Sequence, residues 1–249
     1  MQCLLVACAI VVAMRTTWRL SPIWQLRNRR IFRGRVMFMR FLKGFVFAFV
    51  AAIAVQNSYA GGDAQAGQQK AAMCLGCHGA DGNSLVPTFP KLAGLGEKYL
   101  LKQMKDIRDG RRPVAVMAGQ VDNMTDQDLA DIAAFYNSQT RSGGQADPEK
   151  VALGRKVYLA GIAERQVPAC AACHSPTGNG NGPAGYPSLG GQHADYTAAQ
   201  LKMFRKGYED PTGRTNGGEA KIMRTTAFRM SDMEIEAVAS YIAGLQPTP

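Results

Sequence analysis

The pentapeptide Cys-x-x-Cys-His occurs twice, as Cys74-Leu75-Gly76-Cys77-His78 and as Cys170-Ala171-Ala172-Cys173-His174. Two thiols at this spacing can add to the vinyl groups of a porphyrin, and the adjoining imidazole is then placed to bind the iron. That is the pattern of a c-type haem attachment site. A redox dithiol would need no following histidine. Two Cys-x-x-Cys halves could close one tetrahedral zinc site, but two identically placed histidines would then have no role. The repeated pentapeptide therefore predicts two haem c groups bound through Cys74, Cys77, Cys170 and Cys173, with His78 and His174 as axial iron ligands.

The chain has three histidines, and two are used as proximal ligands. At least one sixth ligand must therefore be another residue type or solvent, and thioether sulfur is a known haem ligand that raises the potential. Two methionine pairs occupy matching positions of an internal repeat, Met117 with Met223 and Met124 with Met230. Met124 and Met230 directly precede Thr125 and Ser231, where a hydrophobic staple onto Leu129 and Ile235 accounts for them. Met117 and Met223 fall in stretches rich in Gly, Thr and Arg, with no helix face to fill, and are the predicted iron ligands. Met73, Met104, Met203 and Met233 have no counterpart and are read as packing residues. His193, opposite Glu97 in the repeat, reads as a helix-start or surface residue; as a ligand it would displace Met223. Pro90 and Pro187 stand 12 and 13 residues after the proximal histidines. Each is either an ordinary loop proline or the source of a carbonyl that orients the imidazole.

The repeat that carries these residues extends along most of the chain. Phe89-Pro90-Lys91-Leu92-Ala93-Gly94 matches Tyr186-Pro187-Ser188-Leu189-Gly190-Gly191, and Tyr99-x-x-x-Gln103 matches Tyr196-x-x-x-Gln200. Gly110 matches Gly207, and Met124-Thr125-Asp126 matches Met230-Ser231-Asp232. Apolar residues at helical spacing predict last helices over Asp128–Gln139 and Ile235–Leu245, and middle helices over Tyr99–Arg108 and Tyr196–Lys206. Ser231 and Glu234 form a capping box, with Thr125 and Asp128 as a weaker analogue. Alternating strand patterns are lacking. The expected fold is mainly α, with two tandem cytochrome c-like domains at 61–140 and 149–249 and a linker at 141–148. Each is small for a self-sufficient core, and a buried haem would supply apolar interior.

The formal charge of +10 invites a nucleic-acid role, but its location excludes one. Residues 1–60 hold nine of the 29 basic residues and none of the 19 acidic ones, which leaves the rest at 20 against 19. No basic footprint remains on the body of the chain. Met39-Arg40-Phe41-Leu42-Lys43, the apolar run Gly44–Val55 and Ser58-Tyr59-Ala60 read as a cleaved export signal, with maturation after Ala60. Twelve apolar residues are too few for a membrane anchor, which needs about 20. Translation is expected to start at Met37 or Met39, with the upstream stretch outside the functional protein. Of six cysteines, Cys3 and Cys8 precede this start, and the other four all lie in the two pentapeptides.

From Gly61 to Gln246 the chain resembles the dihaem cytochrome c4 family, tandem class I cytochrome c domains. The resemblance rests on Cys-x-x-Cys-His, then Phe-Pro-Lys-Leu-Ala-Gly or Tyr-Pro-Ser-Leu-Gly-Gly, then Tyr-x-x-x-Gln, the ligand Met and the capped last helix. It implies His/Met ligation of both irons, a proline carbonyl on each proximal histidine and close packing of the two domains. It also implies periplasmic electron transfer between partners such as a quinol–cytochrome c reductase and a terminal oxidase, often with peripheral membrane association. Two departures stand out: Ser175 where glycine is common, and Leu95 where the second repeat has Gln192. A competing function is a dihaem subunit that accepts electrons from a partner dehydrogenase. An enzyme such as a dihaem peroxidase would need an exchangeable iron position, against which the matched methionines argue.

Overall fold

The first and last helices of each repeat start where a side chain can satisfy their free amides. Thr125 and Ser231 accept hydrogen bonds from the amides of Asp128 and Glu234, whose carboxylates return the bond, so both last helices carry a complete capping box. Asp63 and Asp147 cap the first helix of each repeat in the same sense. The resulting elements, in a computed structural model that describes residues 61–246, are α1 (Ala64–Lys70), α2 (Leu75–His78), α3 (Glu97–Arg108) and α4 (Asp126–Ser138) in the first repeat. The second contains α5 (Pro148–Ala160), α6 (Ala171–His174), α7 (Ala194–Lys206), α8 (Ile222–Phe228) and α9 (Asp232–Gly244). No strand forms among the described residues, only the isolated bridges Ile162–Val167 and Asn181–Tyr186. None of the described helices is long and apolar enough to cross a membrane. The expectations for residues 1–60 lie outside the described residues.

The two repeats share one packing plan. The first helix crosses the last (α1 on α4, α5 on α9), and the middle helix packs on the last (α3 on α4, α7 on α9). Glycine makes the first crossing close. A Cβ added to Gly67 would lie 1.9 Å from the Asp131 carbonyl oxygen, and one added to Gly154 would lie 2.2 Å from that of Ala237. Lys70 then ties α1 to Asp128 and Asp131 of α4. Behind these crossings lie two small cores. Leu95, Leu100, Ile132, Phe135 and Tyr136 form one; Val157, Tyr158, Leu201, Phe204, Met230, Ile235 and Val238 form the other.

The two repeats form a single compact unit. The segment between α4 and α5 is not a free tether. Arg141 is buried within it, and its guanidinium donates to Ala93 O at 2.8 Å in the first repeat and to Ser188 O at 2.9 Å and Gly190 O at 3.2 Å in the second. Burial lowers this guanidinium to about 10. Lys91, also buried, donates from Nζ to Ser142 O at 2.8 Å. Pro148 opens α5 at a position where its missing amide proton costs nothing.

One expectation about Met223 fails. It does not lie in an irregular loop: it is the second residue of α8, half-buried at the edge of the second core. Met117 follows Gly110 by seven residues, whereas Met223 follows Gly207 by sixteen. The longer second segment has room to wind about two α-helical turns, whereas its counterpart forms only the short 3-10 helix Ala115–Met117.

Candidate functional site

The Cys-x-x-Cys-His segments form short helical turns, α2 and α6 with the residues just before them, which bring both cysteines and the histidine onto one wall. His78 and His174 are buried, and each Nδ1 lies 2.9 Å from a proline carbonyl oxygen, Pro90 O and Pro187 O respectively. The proline carbonyls accept the Nδ1 proton, which leaves Nε2 of each ring free as a metal ligand. Burial lowers the basicity of both imidazoles and outweighs the opposing pull of the carbonyl, so the neutral ring is favoured. Phe89 and Tyr186, the residues before the prolines, tilt against the two rings at 6.4 and 6.1 Å.

Cys74, Cys77 and His78 line a cavity of about 350 Å³, within the range of cofactor sites. Its apolar walls include Leu92, Leu100, Ile107 and Ile132, and Met117 lies on them together with Met104 and Met203 of the middle helices. Met124 does not line it and packs on the first core instead. In the second repeat Met230 is buried inside the core, 4% exposed, and Met223 is only half-buried at its edge. Burial pushes the Cys170 thiol up to about 11, so in the free chain it is an uncharged, largely apolar group.

The cavity also reaches the boundary between the repeats. Arg112 donates to Tyr196 Oη at 3.2 Å and to Gln200 Oε1 at 3.0 Å. Arg214 donates to Tyr99 Oη at 3.0 Å and to Gln103 Oε1 at 2.7 Å. All six side chains line the cavity. Burial alone would raise the Tyr99 phenol, but Arg214 and Arg112 beside it bring it below its usual value. Two guanidiniums facing phenol and amide oxygens leave positive charge there, which suits the two carboxylates of a haem. Two thiols, an imidazole, thioether sulfur and a basic edge around one apolar cavity are a donor set that fits haem c. The repeated Tyr-x-x-x-Gln was the sequence signal for half of this network, since the two residues share a helix face. The arginines carried no such signal.

His193 stands at the N-cap of α7, with Nε2 2.8 Å from Ser84 O of the other repeat. That contact gives it a role at the inter-repeat boundary. Ser175 follows His174 at φ 65° and ψ 157°, a conformation that Gly79 adopts after His78 at φ 81° and ψ 157°.

A family model described as cytochrome c matches residues 64–140 and 151–246. The chain is 55% identical over 188 residues to cytochrome c4 of Pseudomonas aeruginosa, covering 76% of this chain and 91% of that protein. It is 36% identical over 187 residues to a thiosulfate dehydrogenase electron acceptor of Thiomonas intermedia, covering 72% and 82%. The crystal structure of reduced recombinant cytochrome c4 from Pseudomonas stutzeri aligns at a TM-score of 0.71 with 51% identity, covering 74% of this chain and all of that one (100%).

Proposed function

Because the chain belongs to the cytochrome c4 family of dihaem c-type electron carriers, we propose that it carries single electrons through the periplasm between respiratory chain components, with both irons His/Met ligated. The carrier has two cytochrome c domains and two haem c groups, and it is not an enzyme. Bound haem supplies a one-electron iron couple; the chain supplies its ligands, orientation and burial. On this reading Cys74 and Cys77 attach one haem and Cys170 and Cys173 the other. His78 with Met117, and His174 with Met223, bind the irons, while Pro90 and Pro187 orient the imidazoles. The observation that carries the reading is the cavity that brings Met117 to the same space as Cys74, Cys77 and His78.

The domains run from 61 to 140 and from 149 to 249, joined by a linker at 141–148, after a leader at 1–60 that is cleaved behind Ala60. The electron donor is a quinol–cytochrome c reductase and the acceptor a terminal oxidase, with peripheral membrane association. A second reading, a dihaem acceptor serving a partner dehydrogenase, is favoured by the likeness to the thiosulfate dehydrogenase electron acceptor. Mass spectrometry and visible spectra test the site assignment. The mature chain should carry two covalent haems and no free thiol, and show a Met–iron charge-transfer band accounting for two low-spin irons. A single haem, or a high-spin component, would refute it. Electron transfer from each purified donor then separates the two partner readings.

A further inference from the structure

We infer that Gln192 of the second domain tunes the potential of the first haem, acting as a positioning residue through the Pro90–Lys91 peptide on His78. The inference rests on the ligand reading above. One peptide unit makes both bonds. Its carbonyl, Pro90 O, takes the Nδ1 proton of His78 at 2.9 Å, and its amide, Lys91 N–H, donates to Gln192 Oε1 at 2.9 Å. Donation from the amide proton polarises the peptide and places more negative charge on the carbonyl oxygen, and such chains strengthen by about 10–30% per bond. A stronger acceptor gives the imidazole more imidazolate character, which raises its basicity as a ligand and favours ferric iron. Gln192 therefore holds the first potential down.

The side chain is built for this contact. Gln192 is 2% exposed. Its Nε2 donates back to Lys91 O at 2.8 Å, and its Oε1 also accepts from His193 N–H at 3.0 Å. The amide group is thus clamped on both backbone groups of Lys91 and cannot rotate without losing three bonds.

The second domain has the corresponding chain with a different terminus. His174 Nδ1 donates to Pro187 O at 2.9 Å, and the same peptide's amide, Ser188 N–H, donates to Leu95 O at 3.2 Å. Leu95 is the residue that the repeat aligns with Gln192. Each proximal proline peptide therefore ends on an acceptor in the opposite domain: a side-chain amide for the first haem, a backbone carbonyl for the second. Of the two, the contact at Gln192 can be removed by substitution, and its removal acts on one haem.

The test uses the intact dihaem protein and its Gln192→Leu and Gln192→Glu variants, with potentials resolved haem by haem through NMR of the haem methyl groups during redox titration. In Gln192→Leu the first haem should become easier to reduce, by about threefold in its reduced-to-oxidised ratio at fixed potential, or about 28 mV at 59 mV per decade. The second haem should move far less. Gln192→Glu keeps an oxygen for Lys91 N–H, so its first potential should stay at or below the parent's. A purely structural role would loosen the domain boundary and shift both haems together in both variants. No shift in the first haem of Gln192→Leu, or equal shifts in both, overturns the inference while the parent spectrum still supports the ligand assignment. A parent without two Met-ligated low-spin irons would instead overturn that assignment. If Gln192→Leu does not fold, the nearly isosteric Gln192→Met carries the same expectation.

Discussion

Met230→Ala separates packing from ligation in the second domain. Met230 is 4% exposed and lies among Leu201, Phe204, Ile235 and Val238. Its carbonyl accepts from Arg205 Nη1 at 3.0 Å, and the next residue begins the capping box of α9. The backbone around the truncated side chain is therefore held in place and collapses little. A buried Met→Ala change costs about 2–5 kcal/mol, and a poorly collapsing site keeps its cavity and belongs in the upper part of that range, about 4 kcal/mol. For a domain of this size each kcal/mol moves the midpoint by about 4–8 °C, so the second domain should melt about 16–32 °C lower. Both irons should stay six-coordinate and refuse carbon monoxide. Met223→Ala should do the reverse. Half-buried at the edge of the core, it should cost about 1 kcal/mol. One haem should lose its Met–iron band, fall in potential and bind carbon monoxide. Thermal unfolding followed in the Soret region, with carbon monoxide spectra of both variants, reads all of this. If Met230→Ala binds carbon monoxide and Met223→Ala keeps its band, the ligand assignment is reversed and the staple reading of Met230 falls with it.

Gly67→Ala and Gly154→Ala should each cost about 3 kcal/mol in denaturant unfolding, because the added methyl meets a helix carbonyl at 1.9 and 2.2 Å respectively. Gly217→Ala, which meets nothing within 4 Å, is the control and should stay within about 0.5 kcal/mol. Ser175→Gly relieves a backbone conformation worth about 1–3 kcal/mol, against about 0.4–1 kcal/mol of added unfolded-state entropy and the loss of the bond from Asn179 N–H to its Oγ. A net gain of about 1 kcal/mol is expected on thermal unfolding, and Gly79→Ser should lose stability. Lys70 and Thr125 hold the Asp128 carboxyl well below its usual range, so its contribution is full above about pH 4 and disappears as the pH falls further. Asp128→Asn should accordingly flatten the loss of midpoint temperature between about pH 4 and pH 2, and an unchanged slope would refute that pairing.

What could be read from the chain followed the range of the interactions. The capping boxes at Thr125 and Ser231 involve residues three apart, and the Cys-x-x-Cys-His turns five consecutive ones; both appear as local pattern and form locally. The α-helix that carries Met223 exists in only one copy, so equivalence between the copies does not report it. Arg141 looked like linker composition. Its burial depends on carbonyls 47 to 49 residues away in both directions, and no local property of an arginine reports that. The same limit hid Arg112 and Arg214, whose phenol partners lie 84 and 115 residues off.

The repeat was also informative where it broke. Most positions that match between copies serve a function internal to each domain (cap, staple, attachment cysteine, proximal histidine), whereas the matched Tyr-x-x-x-Gln pairs meet an arginine of the opposite repeat. Two domains docked through corresponding surfaces, with every residue alike, would make equivalent contacts across the boundary and give their haems the same surroundings. A mismatch at a matched position is therefore one place where the two haems can become unequal. Leu95 and Gln192 are such a pair, and both lie on the amide that follows a proximal proline carbonyl, one through its backbone and one through its side chain. Read in one dimension, that difference was a small departure in a loop. Once the domains are docked it lies two hydrogen bonds from a histidine ring, close enough to act on the iron that the ring binds.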